Sequence, residues 1–194
     1  MPAYWFRNVK RLLLLSLILS ISTTLMAQQR KTDVVGDALQ YVPRASVLVL
    51  RLCGVESKTK NDKEYFARTI GSTVLSTGIV WGLKSSINSW RPDHTDQRSF
   101  PSGHSAMAFG GAHLLHKEYG QHSPWISIGG YAVATTVAVS RVARDRHYWY
   151  DVTAGAAIGI LSTELVYFST KKLFPHKETT ISMGSDCLTV NVRF

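Results

Sequence analysis

The sequence predicts an all-α fold, a bundle of helices around one core. Two observations carry this prediction. Long stretches without charge are separated by short breaks at proline or glycine, as expected for helices joined by tight connections. The apolar residues, 45% of the 194-residue chain, include many small ones, which allow helices to approach each other closely. A chain of this length suits a single domain with a sizeable core.

Residues 1–27 have the pattern of a secretory signal. Three basic residues precede an apolar run from Leu12 to about Leu25, and Ala27 is the small residue expected at a cleavage site. The alternative is an uncleaved N-terminal anchor, because the apolar run is only slightly shorter than a bilayer span. In either case we expect residues 28–194 to form one exported domain.

Charge and cysteine content narrow the classes of partner. The formal net charge of +9 favours anionic partners such as phosphorylated metabolites or a phospholipid surface. Nucleic acid is excluded, because the basic residues occur in ones and twos without interleaved aromatics. In an oxidising compartment Cys53 and Cys187 either form a disulfide or remain free thiols, and neither has metal-ligand spacing. Nothing in the sequence indicates an oligomeric state.

The first part of the domain is expected to contain short elements. Residues 28–45 are a polar lead-in with room for a short helix, and Ala45–Val55 is a short apolar stretch that Gly54 closes. Lys58–Lys63 is strongly polar and is predicted to be a solvated loop.

Four longer helices follow, each bounded by a local signal. Pro92 ends the first, because proline lacks an N–H and restricts the residue before it. Ser102 is an N-cap for the second, and Gly120 and Ser123-Pro124 separate the second from the third. The predicted ranges are Tyr65–Trp90, Ser102–Lys117, Trp125–Ala143 and His147–Lys172. In the tail, residues 176–194, apolar residues alternate, which predicts a short terminal strand or edge flap.

A block of the form Ser140-Arg141-x5-His147-x3-Asp151 suggests a nucleophile. On one helix His147 and Asp151 would share a face, so the carboxylate could hold the imidazole. A carboxylate on one ring nitrogen fixes the tautomer and leaves the other nitrogen free to attack phosphorus. Taken alone, the pair is equally consistent with a surface contact on any helix.

The block Pro101-Ser102-Gly103-His104 lies at a predicted helix N-terminus, where backbone N–H groups and the helix dipole favour an anion. Gly103 permits close approach of a phosphate, and His104 can donate a proton to a leaving oxygen. The alternative is an ordinary capped helix with an exposed histidine.

The block Lys84-x6-Arg91-Pro92 supplies positive charge. Lys84 and Arg91 are two turns apart on the predicted helix, so both are expected to reach one pocket. Arg141 adds a third cation, and the planar fork of arginine suits phosphate oxygens. The alternative for all three is a set of solvated helix ends.

Together the three blocks resemble the type 2 phosphatidic acid phosphatase superfamily, which includes bacterial acid phosphatases and vanadium haloperoxidases. That family carries K-x6-R-P, P-S-G-H and S-R-x5-H-x3-D, and every fixed position matches, in order, across residues 84–151. The resemblance implies a helical bundle and phosphoryl transfer through a phosphohistidine. It implies no metal and no cofactor, because fixed cations take the place of a metal ion.

The resemblance also implies a role for each matching position. His147 would be the nucleophile, Asp151 its orienting partner, and His104 the general acid and later the base for water. Ser140 would be a lesser contact of the phosphate. The remaining matching residues would hold the phosphate: Lys84, Arg91, Arg141, Ser102 and Gly103.

Several residues beside the blocks have less specific roles. One group lies in the loop between the first two blocks, where it is expected to be solvated, with contact to a substrate as the alternative: Asp93, His94, Asp96 and Arg98. Tyr148 and Trp149 are candidates for a wall of the pocket. His113 and His116 share a helix without a suitable acid nearby, so they are expected to be structural histidines rather than metal ligands.

The resulting prediction is an exported phosphatase that hydrolyses phosphate monoesters. The substrate would be a phospholipid, a prenyl phosphate, a pyrophosphate lipid or a small soluble ester. One alternative is a vanadium haloperoxidase with vanadate as cofactor in the phosphate position, although those relatives are much longer chains. Another is an inactive phospholipid-binding protein, which would need cations but no nucleophile with an orienting carboxylate.

The sequence favours buried core helices over membrane spans. The charge-free window Tyr119–Ser140 contains His122 and Pro124, and Glu164 lies inside the last helix. We therefore expect a periplasmic protein, soluble or membrane-associated. An integral inner-membrane protein with a periplasmic site is the alternative, and the short gap between the first two blocks resembles that of lipid phosphatases.

Overall fold

The computed structural model describes residues 34–174, 178–184 and 187–193, and in these ranges the fold is a bundle of helices followed by a hairpin. The helices are α1 (Val34–Leu39), α2 (Val42–Leu52), α3 (Asp62–Ser86), α4 (Gly103–Tyr119), α5 (Pro124–Ala143) and α6 (Trp149–Leu173). Strands β1 (Glu178–Gly184) and β2 (Cys187–Arg193) pair antiparallel, with Glu178 opposite Arg193 and Gly184 opposite Cys187. The predicted helical bundle is confirmed, and the predicted single tail strand is a hairpin.

The structural unit that contains helices α2 to α6 begins at Leu39. The predicted signal, residues 1–27, lies outside the described residues. Cys53 follows α2 as a free, exposed thiol, whereas the side chain of Cys187 is outside the described part of the structure.

Helix α3 ends earlier than the sequence predicts. Asn61 caps its start by accepting from the Lys63 N–H at 3.0 Å. At its other end, the backbone of Ser89 pairs with Gln97 and Ser99 across the loop, with N···O distances of 3.1 and 2.9 Å. This long-range pairing draws residues 87–91 out of the helix, so the predicted end at Trp90 is wrong.

Helix α4 is central, since α2, α3, α5 and α6 all pack against it. Its approach to α6 is very close: a Cβ on Gly155 would lie 2.3 Å from the carbonyl oxygen of Ser102. A Cβ on Gly159 would lie 2.2 Å from the carbonyl oxygen of Ala106. The expectation that small residues allow close helix packing is therefore confirmed at this contact.

Helices α3 to α6 alternate in direction, so the bundle has two chemically different ends. We call the end where α3 and α5 finish and α4 and α6 begin the site end, because the three sequence blocks lie there. The opposite end carries a buried apolar cluster that consists of Val47, Tyr65, Leu114, Leu115 and Tyr119.

The opposite end also contains a buried carboxylate, Glu118. It accepts hydrogen bonds from the N–H and the hydroxyl of Thr59, at 3.0 and 2.7 Å, and from the hydroxyl of Tyr167. Thr59 is buried, so the loop Lys58–Lys63 is tied to the bundle here. The expectation of a merely solvated loop is wrong at this residue.

Helices α5 and α6 are long and apolar enough to cross a membrane, with mean hydropathies of 1.3 and 1.4 over their best windows. Only 28% of each window is buried, so the expectation that they are buried core helices is wrong. Their outward faces carry exposed large apolar side chains: Trp125, Ile128 and Val139 on α5, and Leu161, Leu165 and Phe168 on α6.

Glu164, the one acid within the apolar part of α6, is paired with basic side chains. Its carboxylate accepts from Lys117 Nζ at 2.8 Å and contacts His113 Nε2 at 2.6 Å. Pairing with a cation lowers the free energy of placing a carboxylate in apolar surroundings. The argument from Glu164 against a membrane span is therefore weakened.

Candidate active site

At the site end, backbone and side-chain hydrogen bonds hold the three sequence blocks and the loop before the second block close together. Lys84 Nζ, in the last turn of α3, donates to the carbonyl of Arg98 at 2.6 Å. The Ser102 N–H, before α4, donates to the carbonyl of Asp151 in the first turn of α6 at 3.0 Å. The N–H of His147 donates to the carbonyl of Arg141 at the end of α5, at 3.3 Å. Residues that are up to 67 positions apart are thus held around one point.

His147 and Asp151 lie side by side, but not for the reason that their spacing suggested. His147 precedes α6, which begins at Trp149, so the two residues do not share a helical face. Asp151 lies in the first turn and accepts the N–H of Tyr148 at 2.9 Å, as a carboxylate at a helix N-terminus does. This cap holds the His147 Nδ1 atom 3.6 Å from Asp151 Oδ2, and both side chains are buried.

Ser99 also belongs to this cluster, and the sequence did not identify it. Its hydroxyl donates to Asp151 Oδ2 and lies 3.4 Å from His147 Nδ1. Its carbonyl oxygen lies 3.4 Å from Lys84 Nζ, and the residue is 0% exposed. Ser99 stands outside all three blocks, and no local pattern distinguishes it from any other loop serine.

The imidazole of His147 is held in its neutral form. Burial is the main cause that lowers its pKa, to about 3, and the surrounding positive charges lower it further. These charges come from Arg91, Lys84, His104 and Arg141. A neutral imidazole retains a lone pair on one ring nitrogen, which is the form that can attack phosphorus.

Carboxylates in the loop between α3 and α4 orient the arginines. Arg91 Nε lies 2.8 Å from Asp96 Oδ1, and this hydrogen bond lowers the pKa of Asp96. Arg146 Nη1 lies 3.2 Å from Asp93 Oδ2, and the carbonyl of Arg146 accepts from Arg91 Nη1 at 3.3 Å. Asp93 and Asp96 are thus paired with arginines while staying partly exposed, so the expectation of a solvated loop holds for them only in part.

The neighbouring residues His94 and Arg98 are exposed, as the expectation of a solvated loop requires.

The early end of α3 corrects the expectation that Arg91 lies on the same helix as Lys84. Arg91 lies in the loop, so it does not reach the pocket as a helical neighbour of Lys84. Both cations still act on His147, because the loop folds back over the site.

The start of α4 has the form that the sequence predicts. Ser102 is the N-cap, and its hydroxyl accepts from the Ser105 N–H at 3.4 Å. A Cβ on Gly103 would meet only Val80 Cγ1, at 3.5 Å, so the space beside this glycine is largely open. First-turn N–H groups have no partner within their helix, so this open space suits an anion.

Arg141 is buried and Ser140 is half-buried at the end of α5. The hydroxyl of Ser140 donates to the carbonyl of Val137 in its own helix at 2.7 Å. Its contact with phosphate therefore stays a prediction, and it would require this hydroxyl to rotate.

The remaining aromatic and histidine residues are placed as follows. Tyr148 stacks on Tyr150 with ring centroids 5.2 Å apart, whereas Trp149 is 70% exposed. His113 contacts Tyr131 and Glu164, and His116 contacts the hydroxyl of Ser127 at 2.9 Å. These contacts suit structural histidines. Within the described ranges no group of three or more His, Cys, Asp and Glu side chains is arranged to hold a metal ion.

The chain is similar to known proteins in both sequence and structure. Residues 65–175 match the family model of the PAP2 superfamily. A lipid A 1-phosphatase of Porphyromonas gingivalis is 39% identical over 140 residues, which are 72% of this chain and 32% of that protein. The bacitracin transport permease protein BcrC of Bacillus licheniformis is 34% identical over 84 residues, 42% of this chain and 38% of that protein. The chain thus spans about a third of the length of these two relatives.

A solved structure is also similar. The crystal structure of Aquifex aeolicus LpxE matches with a TM-score of 0.55 and 25% sequence identity. The match covers 79% of this chain and 94% of that chain. The helical arrangement described above is therefore shared over nearly the whole of that protein.

Proposed function

Because the chain belongs to the PAP2 superfamily, we propose that it is a membrane phosphatase that hydrolyses a lipid phosphomonoester through a phosphohistidine. The observation that carries this proposal is the state of His147. It is a buried, neutral imidazole beside a carboxylate, and it is surrounded by cations that suit phosphate. Binding an anion would require the cations alone, whereas a neutral nucleophile with an orienting carboxylate indicates chemistry.

The first half of the reaction forms the phosphoenzyme. The phosphate of the substrate binds among Lys84, Arg91 and Arg141, with the N-terminus of α4 against its oxygens. The Nε2 lone pair of His147 attacks phosphorus, and the bond to the lipid oxygen breaks. His104 donates a proton to that leaving oxygen, so the lipid departs as an alcohol.

The second half returns the enzyme to its starting state. His104, now without its proton, takes one from a water molecule, and the resulting hydroxide attacks phosphorus. The phosphorus–nitrogen bond breaks, inorganic phosphate leaves, and His147 regains its lone pair. The cations stabilise the charge on the non-bridging oxygens in both steps.

The same cations serve the nucleophile and the substrate. Without substrate, their charge helps to keep His147 unprotonated. When a phosphate binds, its negative charge offsets theirs, so the positive charge that develops on the phosphorylated imidazole becomes easier to hold. Asp151 then stabilises that charge at close range.

The outer faces of α5 and α6 support a position within the membrane. Helix α5 has 20 residues, which at 1.5 Å per residue gives about 30 Å, the thickness of the hydrocarbon layer. Several exposed aromatic side chains lie at the site end: Trp81, Trp90, Trp149 and Tyr150. Tryptophan and tyrosine prefer the membrane–water interface, so this position would place the site at the level of lipid phosphates.

The lysines of the opposite end support one orientation of the protein across the membrane. Lys58, Lys60 and Lys63 precede or begin α3, and Lys171 and Lys172 lie in the last turn of α6. Excess lysine and arginine is typical of cytoplasmic loops, and most cations of the site end are instead assigned to the proposed phosphate site or paired with Asp93 and Asp96. We therefore place the opposite end in the cytoplasm and the site end on the far side of the membrane.

The substrate class follows from the position of the site and from the relatives. A relative named as a lipid A 1-phosphatase is 39% identical over most of this chain. A phosphorylated glycolipid such as lipid A is therefore the first substrate to test, followed by phosphatidic acid and prenyl phosphate. The haloperoxidase alternative stays a prediction, which the addition of vanadate and halide tests.

The test is phosphate release by the purified protein in detergent and a metal chelator. The lipid phosphates would be compared with a soluble aryl phosphate. We expect hydrolysis of a lipid phosphate, unaffected by the chelator and abolished in His147→Ala. His122→Ala, an exposed histidine of the opposite end, is the matched control and should keep full activity.

Three results would overturn parts of the proposal. Loss of activity in the chelator would contradict metal independence. Efficient turnover of only the aryl phosphate, by protein that needs no detergent, would indicate a soluble acid phosphatase. Absence of all hydrolysis, with halide oxidation after vanadate is added, would indicate a haloperoxidase.

A further inference from the structure

We propose that Ser99 is a positioning residue of the catalytic pair, and that its hydroxyl bridges His147 and Asp151. In this arrangement the hydroxyl donates to the carboxylate and accepts from the imidazole. The kinetic part of the inference rests on the proposed function, whereas its structural part concerns the tautomer of His147 in the free protein.

The hydrogen bonding at Ser99 assigns the proton on His147. A serine hydroxyl has one hydrogen to donate and lone pairs that accept. Because a carboxylate oxygen accepts, the Ser99 hydrogen points to Asp151 Oδ2. The Nδ1 atom of His147 lies 3.4 Å from the hydroxyl oxygen of Ser99. In a hydrogen bond between these two atoms, Nδ1 can then only be the donor. Nδ1 therefore carries the hydrogen, and Nε2 keeps the lone pair for attack.

The bridge is a closer link than the direct contact between histidine and carboxylate. His147 Nδ1 lies 3.6 Å from Asp151 Oδ2 and 3.4 Å from the hydroxyl oxygen of Ser99, so both contacts are longer than an ordinary N–H···O hydrogen bond and the hydroxyl is the nearer acceptor. The same carboxylate oxygen already receives the N–H of Tyr148 at 2.9 Å. The hydroxyl of Ser99 thus completes a path from the imidazole to the carboxylate.

Ser99 is also fixed by its backbone, so its hydroxyl is held in place. Its N–H donates to the carbonyl of Ser89 at 2.9 Å, and its carbonyl oxygen lies 3.4 Å from Lys84 Nζ. One fully buried residue therefore contacts a phosphate-binding cation through its carbonyl and the nucleophile through its side chain. A shift of Ser99 would move both.

Not every buried serine of this chain is used in this way. Ser72 is also 0% exposed, but its hydroxyl donates to the carbonyl of Thr69 in its own helix, at 3.2 Å. Ser99 instead reaches Asp151, 52 residues away. Ser72→Ala is therefore a matched control for loss of a buried hydroxyl away from the site.

The first experiment compares the kinetics of Ser99→Ala, Ser99→Thr and Ser72→Ala. In metal sites, loss of a group that orients a histidine ligand lowers activity by about 10- to 100-fold. We expect this loss in kcat for Ser99→Ala, with little change in inhibition by inorganic phosphate, because the cations remain. Ser99→Thr keeps the hydroxyl and should recover part of the rate, and Ser72→Ala should match the wild type.

A double substitution separates positioning from packing. If Ser99 acts through Asp151, then Ser99→Ala should lower kcat by less than about threefold when Asp151→Asn is already present. An equal loss in both backgrounds would mean that Ser99 only fills space, and this would overturn the proposal. Wild-type activity in Ser99→Ala would overturn it as well.

A measurement on the wild-type protein does not depend on turnover. Nitrogen NMR of histidine-labelled protein, with the signal assigned by His147→Gln, should show Nδ1–H and a bare Nε2 for His147. Hydrogen on Nε2 instead would overturn the bridge even if Ser99→Ala does not fold. If no phosphate ester is hydrolysed, the proposed function is wrong. The position of the hydrogen on the His147 imidazole still tests whether Ser99 forms the bridge.

Discussion

At the scale of single residues, the proposed function gives the same positive charges two roles, which are to bind the substrate and to prepare the nucleophile. An ordinary histidine, with a pKa near 6.5, would be largely protonated at pH 5 and unable to attack. Burial and the neighbouring cations lower the pKa of His147 to about 3. Under the proposed function, His147 can therefore stay unprotonated and ready to attack in mildly acidic conditions.

The depressed pKa of His147 predicts how stability changes with pH. Between about pH 3 and pH 6.5 the unfolded chain binds a proton at this histidine, whereas the folded protein does not. Stability should therefore fall as the pH is lowered through this range, and be fully retained above pH 6.5. Each pKa unit corresponds to about 1.4 kcal/mol, so the effect should amount to a few kcal/mol.

Thermal unfolding in detergent at pH 7 and at pH 4 measures this effect. The Tm of the wild type should fall further between the two pH values than the Tm of His147→Asn. His122→Asn, which changes an exposed histidine, should follow the wild type. Parallel behaviour of all three proteins would show that His147 is not buried in its neutral form.

At the scale of the elements, the contact between α4 and α6 determines the geometry of the site. Gly155 lies one turn after Asp151, and it faces the carbonyl of Ser102, which caps α4. Because a Cβ there would lie 2.3 Å from that oxygen, any side chain must push the two helices apart. The N-terminus of α4 and the carboxylate of Asp151 would then separate.

Gly155→Ala should therefore lower both stability and activity. Overpacking of this kind costs about 1–3 kcal/mol, and we expect a lower Tm together with a clear loss of kcat/KM. Gly78→Ala is the control, because nothing lies within 4 Å of its Cβ position. Alanine in a helix is about 0.5–1 kcal/mol more favourable than glycine, so this variant should be slightly stabilised. Equal behaviour of the two variants would contradict the packing described.

Local signals in the sequence were sufficient to predict most helix ends, and long-range contacts explain the errors. Ser102 and Pro124 mark the starts of α4 and α5 within a residue, because caps and prolines act on their own turn. The end of α3 was predicted too late, since backbone pairing of Ser89 with Ser99 cannot be inferred from local pattern.

Within the site, too, local patterns predicted residues correctly and long-range contacts were missed. The sequence blocks identified the residues that the structure brings together around His147. The role of Asp96 as a partner of Arg91 was missed, because an acid in a short polar loop is usually solvated. Ser99 was missed because its contact with Asp151 spans 52 residues and leaves no local pattern.

At the scale of the whole molecule, the chemistry lies at one end of a bundle whose sides are apolar. The outward faces of α5 and α6 are largely exposed, and large contiguous apolar surfaces on a protein mark contact with a membrane or a partner. A lipid bilayer would cover these faces and present lipid phosphates to the site end. Under the membrane proposal, these exposed apolar faces would distinguish the protein from a soluble phosphatase with the same site residues.

The membrane proposal predicts how the protein behaves during fractionation. Protein expressed without residues 1–27 should remain in membranes after an alkaline carbonate wash, because α5 and α6 hold it there. Detergent should be needed to extract it. Recovery of this shortened protein as a monodisperse species in detergent-free buffer would contradict the proposal.

The central claim, that His147 receives the phosphoryl group, can be tested most directly by trapping the intermediate. Wild-type protein would be quenched in alkali during turnover of a lipid phosphate, digested, and examined by mass spectrometry. We predict a phosphoryl group on the peptide that contains His147, labile to acid and absent from His147→Ala. A phosphoryl group on another residue, or steady turnover in His147→Ala, would contradict the account.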